Sequence, residues 1–93
     1  MTKQEETKPM LNVGNAVLIR TVTLYHVGRI VNVDEKFITL DDASWVADTG
    51  RFSNALKTGE LTETELFLNP VMVAIAAIVD ITSWSHPLPT ATK

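Results

Sequence analysis

The longest apolar run of the chain is VMVAIAAIVDI at 71–81, in which Asp80 is the only residue that is not apolar. A strand with one face in water alternates apolar and polar residues, whereas this run is apolar at both parities and predicts extended chain covered on both faces. Ala74, Ala76 and Ala77 also suit a short turn inside the run. A chain of 93 residues can cover one face of such a sheet and has little left for the other. The pattern therefore predicts contact with a second copy of the chain, through the second face or the open edge.

Shorter segments in which apolar and polar residues alternate predict the other strands. HVGRIVNVD at 26–34 alternates well, and Gly28 inside it indicates a sharp bend or a close backbone approach. Asp34, Glu35 and Lys36 supply a polar turn, so this strand and the FITL segment that follows are predicted to form a hairpin. The predicted strands lie near 16–22, 26–34, 37–47, 62–75 and 78–84.

The second half of the chain combines a short helix with an interrupted strand. The helix is predicted near 51–58, where Asp48 and Thr49 suit its N-terminal cap and Gly59 suits the position after its end. Pro70 interrupts the fourth predicted strand because proline has no N–H to donate. The predicted organisation is a polar N-terminal tail (1–12), one domain (13–84) and a C-terminal tail (85–93).

Composition and charge narrow the class of protein. The chain has no cysteine, which excludes a small scaffold held by disulfides. Its net charge of -3 argues against a general nucleic-acid binder, which carries a basic surplus. Residues 2–8 are polar and no apolar stretch follows them directly, so no signal peptide is predicted and a cytoplasmic location is expected. The run at 71–81 is shorter than the roughly 20 apolar residues that span a bilayer, so no membrane partner is predicted.

Two motifs resemble the Sm-like family, the small barrels of the Sm, LSm and Hfq proteins. GRIVNVDEKFITL at 28–40 is similar, without a gap, to the family's first motif, in which a glycine, an apolar residue, an aspartate and an apolar strand follow in order. AIAAIVDI at 74–81 looks like the end of the fourth strand, a one-turn link and the fifth strand. The resemblance implies a mainly β fold, a small five-stranded bent barrel, here with a short helical insertion between strands 3 and 4. The acidic balance and the TGRF segment resemble Sm-like proteins of phage, and more narrowly cyanophage, origin.

The resemblance also implies a partner. Sm-like subunits close into rings in which the fourth strand of one subunit pairs with the fifth strand of the next, as a two-sided apolar run at 71–81 would require. A closed homo-oligomeric ring of about five to seven copies is therefore expected. The predicted subunit-interface residues are Val71, Val73, Ile75, Ile78, Val79 and Ile81.

RNA binding is the function that the resemblance implies for two pore-facing loops, one after the aspartate and one between the last two strands. The candidate RNA-contact residues in the first loop are Asp34, Lys36 and Phe37. Lys36 can contact a phosphate and Phe37 can stack on a base. The second loop has Met72, Val73 and their neighbours where the family places basic residues. Two interpretations of Phe37 stay open, a base-stacking residue and a core or interface aromatic.

The two tryptophans, Trp45 and Trp84, each lie beside serine near the end of a predicted strand. A tryptophan in such a position is either an exposed contact residue or a partly buried core residue, and the second is the more common. Both interpretations stay open for each of them.

No residue pattern predicts catalysis, a metal site or a cofactor. The adjacent acids Asp34 and Glu35 are typical of a solvated turn, and Asp41 and Asp42 have Asp48 as their one near companion for a metal. The first expectation is a non-enzymatic Sm-like ring with an RNA-binding or scaffold role. The alternative is a phage structural or assembly ring with no nucleic-acid ligand.

Overall fold

Six antiparallel strands and one short α-helix are found in residues 11–93, the part of the chain that the computed structural model describes. The strands are β1 (Ala16–Thr21), β2 (Tyr25–Val33), β3 (Phe37–Asp48), β4 (Glu63–Leu66), β5 (Val71–Ala74) and β6 (Ile78–Ser83). The helix α1 spans Phe52–Thr58, and the 3-10 turn Ile75–Ala77 links β5 to β6. The predicted mainly β class is confirmed, with six strands where five were predicted. The predicted tail at 1–12 lies outside the described residues except for Leu11 and Asn12.

The strands form one sheet in the order β4-β3-β2-β1-β6, and β5 adds to the first half of β3. With 12 residues, β3 is long enough to serve both neighbours: residues 37–40 pair with β5, and residues 44–48 pair with β4. The 3-10 turn of three residues is all that separates β5 from β6. The one-turn link predicted inside the apolar run is confirmed, and it joins β5, which pairs with β3, to β6, which pairs with β1.

The single strand predicted over 62–75 is wrong. β4 ends at Leu66 and β5 begins at Val71, and they pair with different halves of β3. The chain must therefore cross from one half of β3 to the other between them. Pro70, which cannot donate to a ladder, lies in this crossing, and the Phe67 N–H donates to the Ala43 carbonyl with an N···O distance of 2.9 Å.

A sharp bend in β3 makes this double pairing possible. Asp42 has φ 49°, a left-handed conformation, and the β2–β3 register shifts there so that two residues of β3 lie opposite Gly28. A Cβ on Gly28 would lie 3.0 Å from the Ala43 Cβ and 3.1 Å from the Leu40 Cβ, closer than ordinary contacts. The close backbone approach predicted at Gly28 is confirmed, because a Cβ there would require its neighbours in β3 to move by a few tenths of an ångström.

The core consists of two apolar clusters on opposite faces of the sheet. The first contains Val17, Ile19, Ile30, Ile38, Leu40, Ala43 and Val73. The second contains Leu18, Val27, Val46, Ala55, Leu61 and Trp84. Successive side chains of a strand point to opposite faces, so β1 contributes Val17 and Ile19 to the first cluster and Leu18 to the second. β1 is thus covered on both faces by the chain's own residues.

The apolar run at 71–81 is covered on one face within the chain. Val73 belongs to the first cluster, and Val71, Ile78 and Ile81 pack against it. Met72 lies on the opposite face of β5 and is exposed. Cover for that second face from another copy stays a prediction.

The helix α1 begins differently from the prediction and ends as predicted. Its N-cap position is Arg51, which makes no side-chain cap hydrogen bond, and the Asp48 carboxylate instead accepts the Gly50 N–H at 2.8 Å. The cap predicted from Asp48 and Thr49 is therefore wrong, because Asp48 closes the turn before the helix. Gly59 ends the helix with φ 80° and donates its N–H to the Ala55 carbonyl, as predicted. No helix in the described part of the chain is long and apolar enough to cross a membrane.

The C-terminal segment, residues 84–93, folds back over the molecule. Trp84 is buried in the second cluster, and the His86 Nε2–H donates to the Leu56 carbonyl at 2.8 Å. Further along, Thr64 and Lys93 exchange two backbone hydrogen bonds, with N···O distances of 3.1 and 2.8 Å. The segment therefore covers the outer edge of β4.

Candidate functional site

The outer edge of β5 and the outer edge of β6 have no hydrogen-bonded neighbour among residues 11–93. β5 pairs with β3 alone, and β6 pairs with β1 alone. Large apolar side chains are exposed on these strands, with Met72 56% and Val79 53% accessible. An unpaired edge with exposed apolar side chains is a template for pairing with another strand. These two edges are the candidate functional site.

The six predicted interface residues fall into three groups. Val73 is buried in the first cluster, Val71, Ile78 and Ile81 are half-buried against it, and Ile75 and Val79 are exposed. Ile75 and Val79 are thus the two predicted interface residues that are exposed among the described residues.

Met72 is a further exposed residue of the same surface, and it is not among the predicted interface residues. Its exposure could have been expected from its position in the strand. Met72 lies between Val71 and Val73, so its side chain points to the opposite face. Met72, Ile75 and Val79 are called the edge residues below.

Asp80, the one polar residue of the apolar run, has a specific partner. It lies opposite Arg20 in the β1–β6 register, and its Oδ2 accepts the Arg20 Nε–H at 2.9 Å. This hydrogen bond and the charge of Asp80 raise the pKa of the Arg20 guanidinium above its ordinary value. The pair links β1 to β6 on an exposed face of the sheet.

The two loops that the family resemblance associates with RNA meet in space. The Ile75 N–H, at the link between β5 and β6, donates to the Lys36 carbonyl of the β2–β3 turn at 2.8 Å. Phe37 lies opposite Ala74 of β5, on the face away from the first cluster, and is half-buried. Lys36 is exposed at the tip of the hairpin. Two of the three candidate RNA-contact residues, Lys36 and Phe37, therefore lie beside the β5–β6 link.

The Asp34 carboxylate accepts hydrogen bonds from the backbone of the hairpin turn. Its Oδ1 accepts the N–H groups of Lys36 and Phe37, both at 2.8 Å. The hydrogen bond from Lys36, followed by that from Phe37, holds the pKa of Asp34 below its ordinary value. The role of Asp34 seen here is to close the turn.

Two further acids, Asp41 and Asp42, also have local partners. Asp42 forms an ion pair with Arg29, and the Asp41 Oδ1 accepts the Asp42 N–H at 2.9 Å. Within residues 11–93, no three or more histidine, aspartate or glutamate side chains come together in a group that could hold a metal ion. Asp41 and Asp42 therefore make their contacts within the bend of β3 and with β2.

Comparison with models of known protein families gives no match. Comparison with curated proteins gives no match either. The resemblance to Sm-like proteins accordingly stays a prediction, and the function is inferred from the geometry of the edges and loops.

Proposed function

We propose that this chain is a non-enzymatic, Sm-like small-barrel subunit that assembles with copies of itself into a closed ring and acts as a scaffold. The observation that carries the proposal is the pair of bare edges on β5 and β6. Pairing the β5 edge of one copy with the β6 edge of the next satisfies the backbone groups of both strands. It also brings the edge residues Met72, Ile75 and Val79 into contact with a neighbour.

The strand path supports the small-barrel part of the proposal. β5 pairs with β3, β6 pairs with β1, and three residues join β5 to β6. Because the proposed contact joins β5 of one copy to β6 of the next, two different surfaces meet and each contact is head to tail. A head-to-tail contact repeated with a constant rotation closes a ring when the rotation divides a full turn, here into about five to seven copies.

Burial of the edge residues provides a driving force for assembly. An apolar side chain of this size stabilises a contact by about 1.5–3 kcal/mol when it passes from full exposure to full burial. Since Met72 and Val79 are each about half exposed, each contributes roughly half of that range.

Light scattering on the purified chain tests the assembly. The expected mass is about 50–70 kDa, which is five to seven copies of the 10.3 kDa chain. Val79→Lys is expected to give a folded single chain, because a lysine would place a charge in the dry strand contact. The matched control is Val22→Lys in the β1–β2 turn, where Val22 is 85% exposed, and it should keep the mass of the unmodified protein. A single-chain mass for the unmodified protein at micromolar concentration would refute the ring.

RNA binding is a second candidate role for the same ring. The contact between the β2–β3 turn and the β5–β6 link supports it, because it places Lys36 and Phe37 at one surface. Asp34 and Glu35 lie beside Lys36 and weaken the attraction for phosphate, which is why the scaffold role is preferred. The phage origin and the cytoplasmic location remain predictions that go with either role.

Fluorescence anisotropy with uridine-rich and adenine-rich oligonucleotides at two salt concentrations separates the two roles. The scaffold role predicts dissociation constants weaker than about 0.1 mM even at low salt. Tighter binding that Lys36→Gln weakens, and that the control Lys57→Gln in α1 leaves unchanged, would establish the RNA role instead. Neither variant alters the strand edges, so the ring mass provides a check that assembly is intact.

A further inference from the structure

Three side chains lie in a row across β2, β3 and β4 on one face of the sheet. His26 is paired with Trp45, and Trp45 is paired with Glu65. Directly paired residues of antiparallel strands point to the same face. His26 is also paired with Ile19 of the first cluster, so the row continues the face that encloses that cluster.

Phe67 completes this row from the chain that follows β4. It packs against the first cluster, and its ring stacks on His26 with centroids 6.0 Å apart and an interplanar angle of 15°. Trp45, Glu65, Leu66 and Phe67 line an open cavity of about 360 Å³. This volume is within the range of about 300–1,000 Å³ that small ligand sites occupy.

The two tryptophans of the chain have opposite environments. Trp84 is 5% exposed and belongs to the second cluster, whereas Trp45 is 42% exposed at the wall of the cavity. The face of an accessible indole is negatively polarised and attracts cations. Trp45 therefore has the character of a contact residue.

The charge of this face is negative. Glu63 lies two residues from Glu65 on the same face of β4, and Asp48 lies opposite Glu63. The ion pairs found among residues 11–93, Arg20–Asp80 and Arg29–Asp42, involve none of these three carboxylates. Burial lowers the pKa of His26, so its imidazole is neutral at neutral pH and does not offset Glu65.

We propose that Trp45, Glu65 and Phe67 form a binding site for a lysine or arginine side chain presented by a basic peptide of a partner protein. The cation lies against the indole of Trp45 and pairs with the Glu65 carboxylate, and the alkyl stem contacts Phe67. His26 is a positioning residue that supports the Phe67 ring. A phosphate-bearing ligand is disfavoured because Glu63, Glu65 and Asp48 would repel it.

The site is separate from the proposed ring contact. It lies on the half of β3 that pairs with β4, whereas the half that pairs with β5 leads to the bare edge. Its test therefore fails or succeeds independently of the ring.

Calorimetric titration with a capped Gly-Arg-Gly-Lys-Gly peptide tests the proposal on the full chain. The reference ligand is the same peptide with citrulline and acetyl-lysine in place of arginine and lysine. We expect saturable binding of the charged peptide and binding at least about tenfold weaker for the neutral one. Trp45→Leu and Glu65→Gln should each weaken binding about fivefold or more. Because both side chains are exposed, both variants are expected to unfold at nearly the temperature of the unmodified protein.

The matched control is Glu60→Gln, which removes the same charge from the exposed loop after α1 and should change binding less than about twofold. Equal losses of peptide affinity in Glu60→Gln and Glu65→Gln would overturn the site, as would the absence of saturable peptide binding by the unmodified protein. Binding of an oligonucleotide that depends on Trp45, with no binding of the peptide, would assign it to nucleic acid and overturn the peptide proposal. A smaller assembly mass in Glu65→Gln would mean that a second copy of this chain fills the site, which would also overturn it.

Discussion

The two halves of β3 pair with different strands, and the outer edges of these two strands differ in whether the chain covers them. Residues 44–48 pair with β4, whose outer edge is hydrogen-bonded to the C-terminal segment through Thr64 and Lys93. Residues 37–40 pair with β5, whose outer edge is bare, as is that of β6. The same chain thus covers one edge and, among the described residues, leaves the outer edges of β5 and β6 without a hydrogen-bonded neighbour.

The side chains repeat this contrast. β4 carries Glu63 and Glu65 on one face, and charges on an edge strand discourage pairing with other chains. β5 has the sequence VMVA with no charge, and Met72 is exposed on it. Among the described residues, the β4 edge thus combines a hydrogen-bonded cover with charged side chains, and the β5 edge has neither.

The largest effect on stability is expected from Trp84→Ala, because Trp84 is the buried residue at the start of the C-terminal segment that covers β4. Trp84 is buried in the second cluster with Leu18 and Val27, so truncation leaves a cavity. We expect the free energy of unfolding to fall by about 3–5 kcal/mol, measured by chemical denaturation. Trp45→Ala is the control and should cost less than about 1 kcal/mol, because that side chain is exposed. Equal losses from the two variants would mean that the segment does not depend on its tryptophan.

Gly28→Ala is expected to have the next largest effect, because it disturbs the bend that separates the two halves of β3. The added Cβ would lie 3.1 Å from the Cα of Ala43, a backbone atom that cannot move alone. We expect a loss of about 1–3 kcal/mol in the free energy of unfolding. An unchanged free energy of unfolding would show that the bend tolerates a side chain at position 28 and that the close approach of β2 and β3 does not require glycine there.

Gly28 also illustrates how far the sequence could predict this fold. The bend, the β2–β3 turn at Asp34 and the helix stop at Gly59 depend on neighbours in the chain, and their residue types signalled them. The contact of Thr64 with Lys93 could not be predicted in this way, because it depends on how the tail folds over a strand far from it in sequence.

The candidate site was predictable to the same extent. The apolar run at 71–81 identified the two edge strands, but its composition could not show which side chains face the core. Met72 alternates with Val71 and Val73, so it had to face away from them. Which of the two faces is the core face became clear only from the register of β5 against β3. The row of His26, Trp45 and Glu65 could not be predicted from the sequence, because its members come from three separate strands whose register was not known.

A smaller effect is expected from Lys93→Pro, which removes the N–H that donates to the Thr64 carbonyl at 2.8 Å. Loss of one such hydrogen bond costs about 0.5–1.5 kcal/mol. We expect faster hydrogen exchange at the Thr64 amide, since the covered edge of β4 then opens more often. Unchanged exchange there would show that the segment does not protect this edge.

The smallest effect is expected from the Asp34 carboxylate, at the turn beside the bare edge. Its pKa is held below the ordinary 3.8 by the N–H groups of Lys36 and Phe37, so the unfolded chain takes up a proton first as the pH falls. The stabilisation is complete well above pH 3.8 and is lost as the pH falls through the lower pKa of the folded protein. We expect Asp34→Asn to lower the thermal unfolding midpoint at pH 7, with a difference from the unmodified protein that shrinks toward pH 2. A difference that stays constant over this range would mean that the turn does not depend on the charge of Asp34, and that the β2–β3 turn is held instead by its contact with the β5–β6 link.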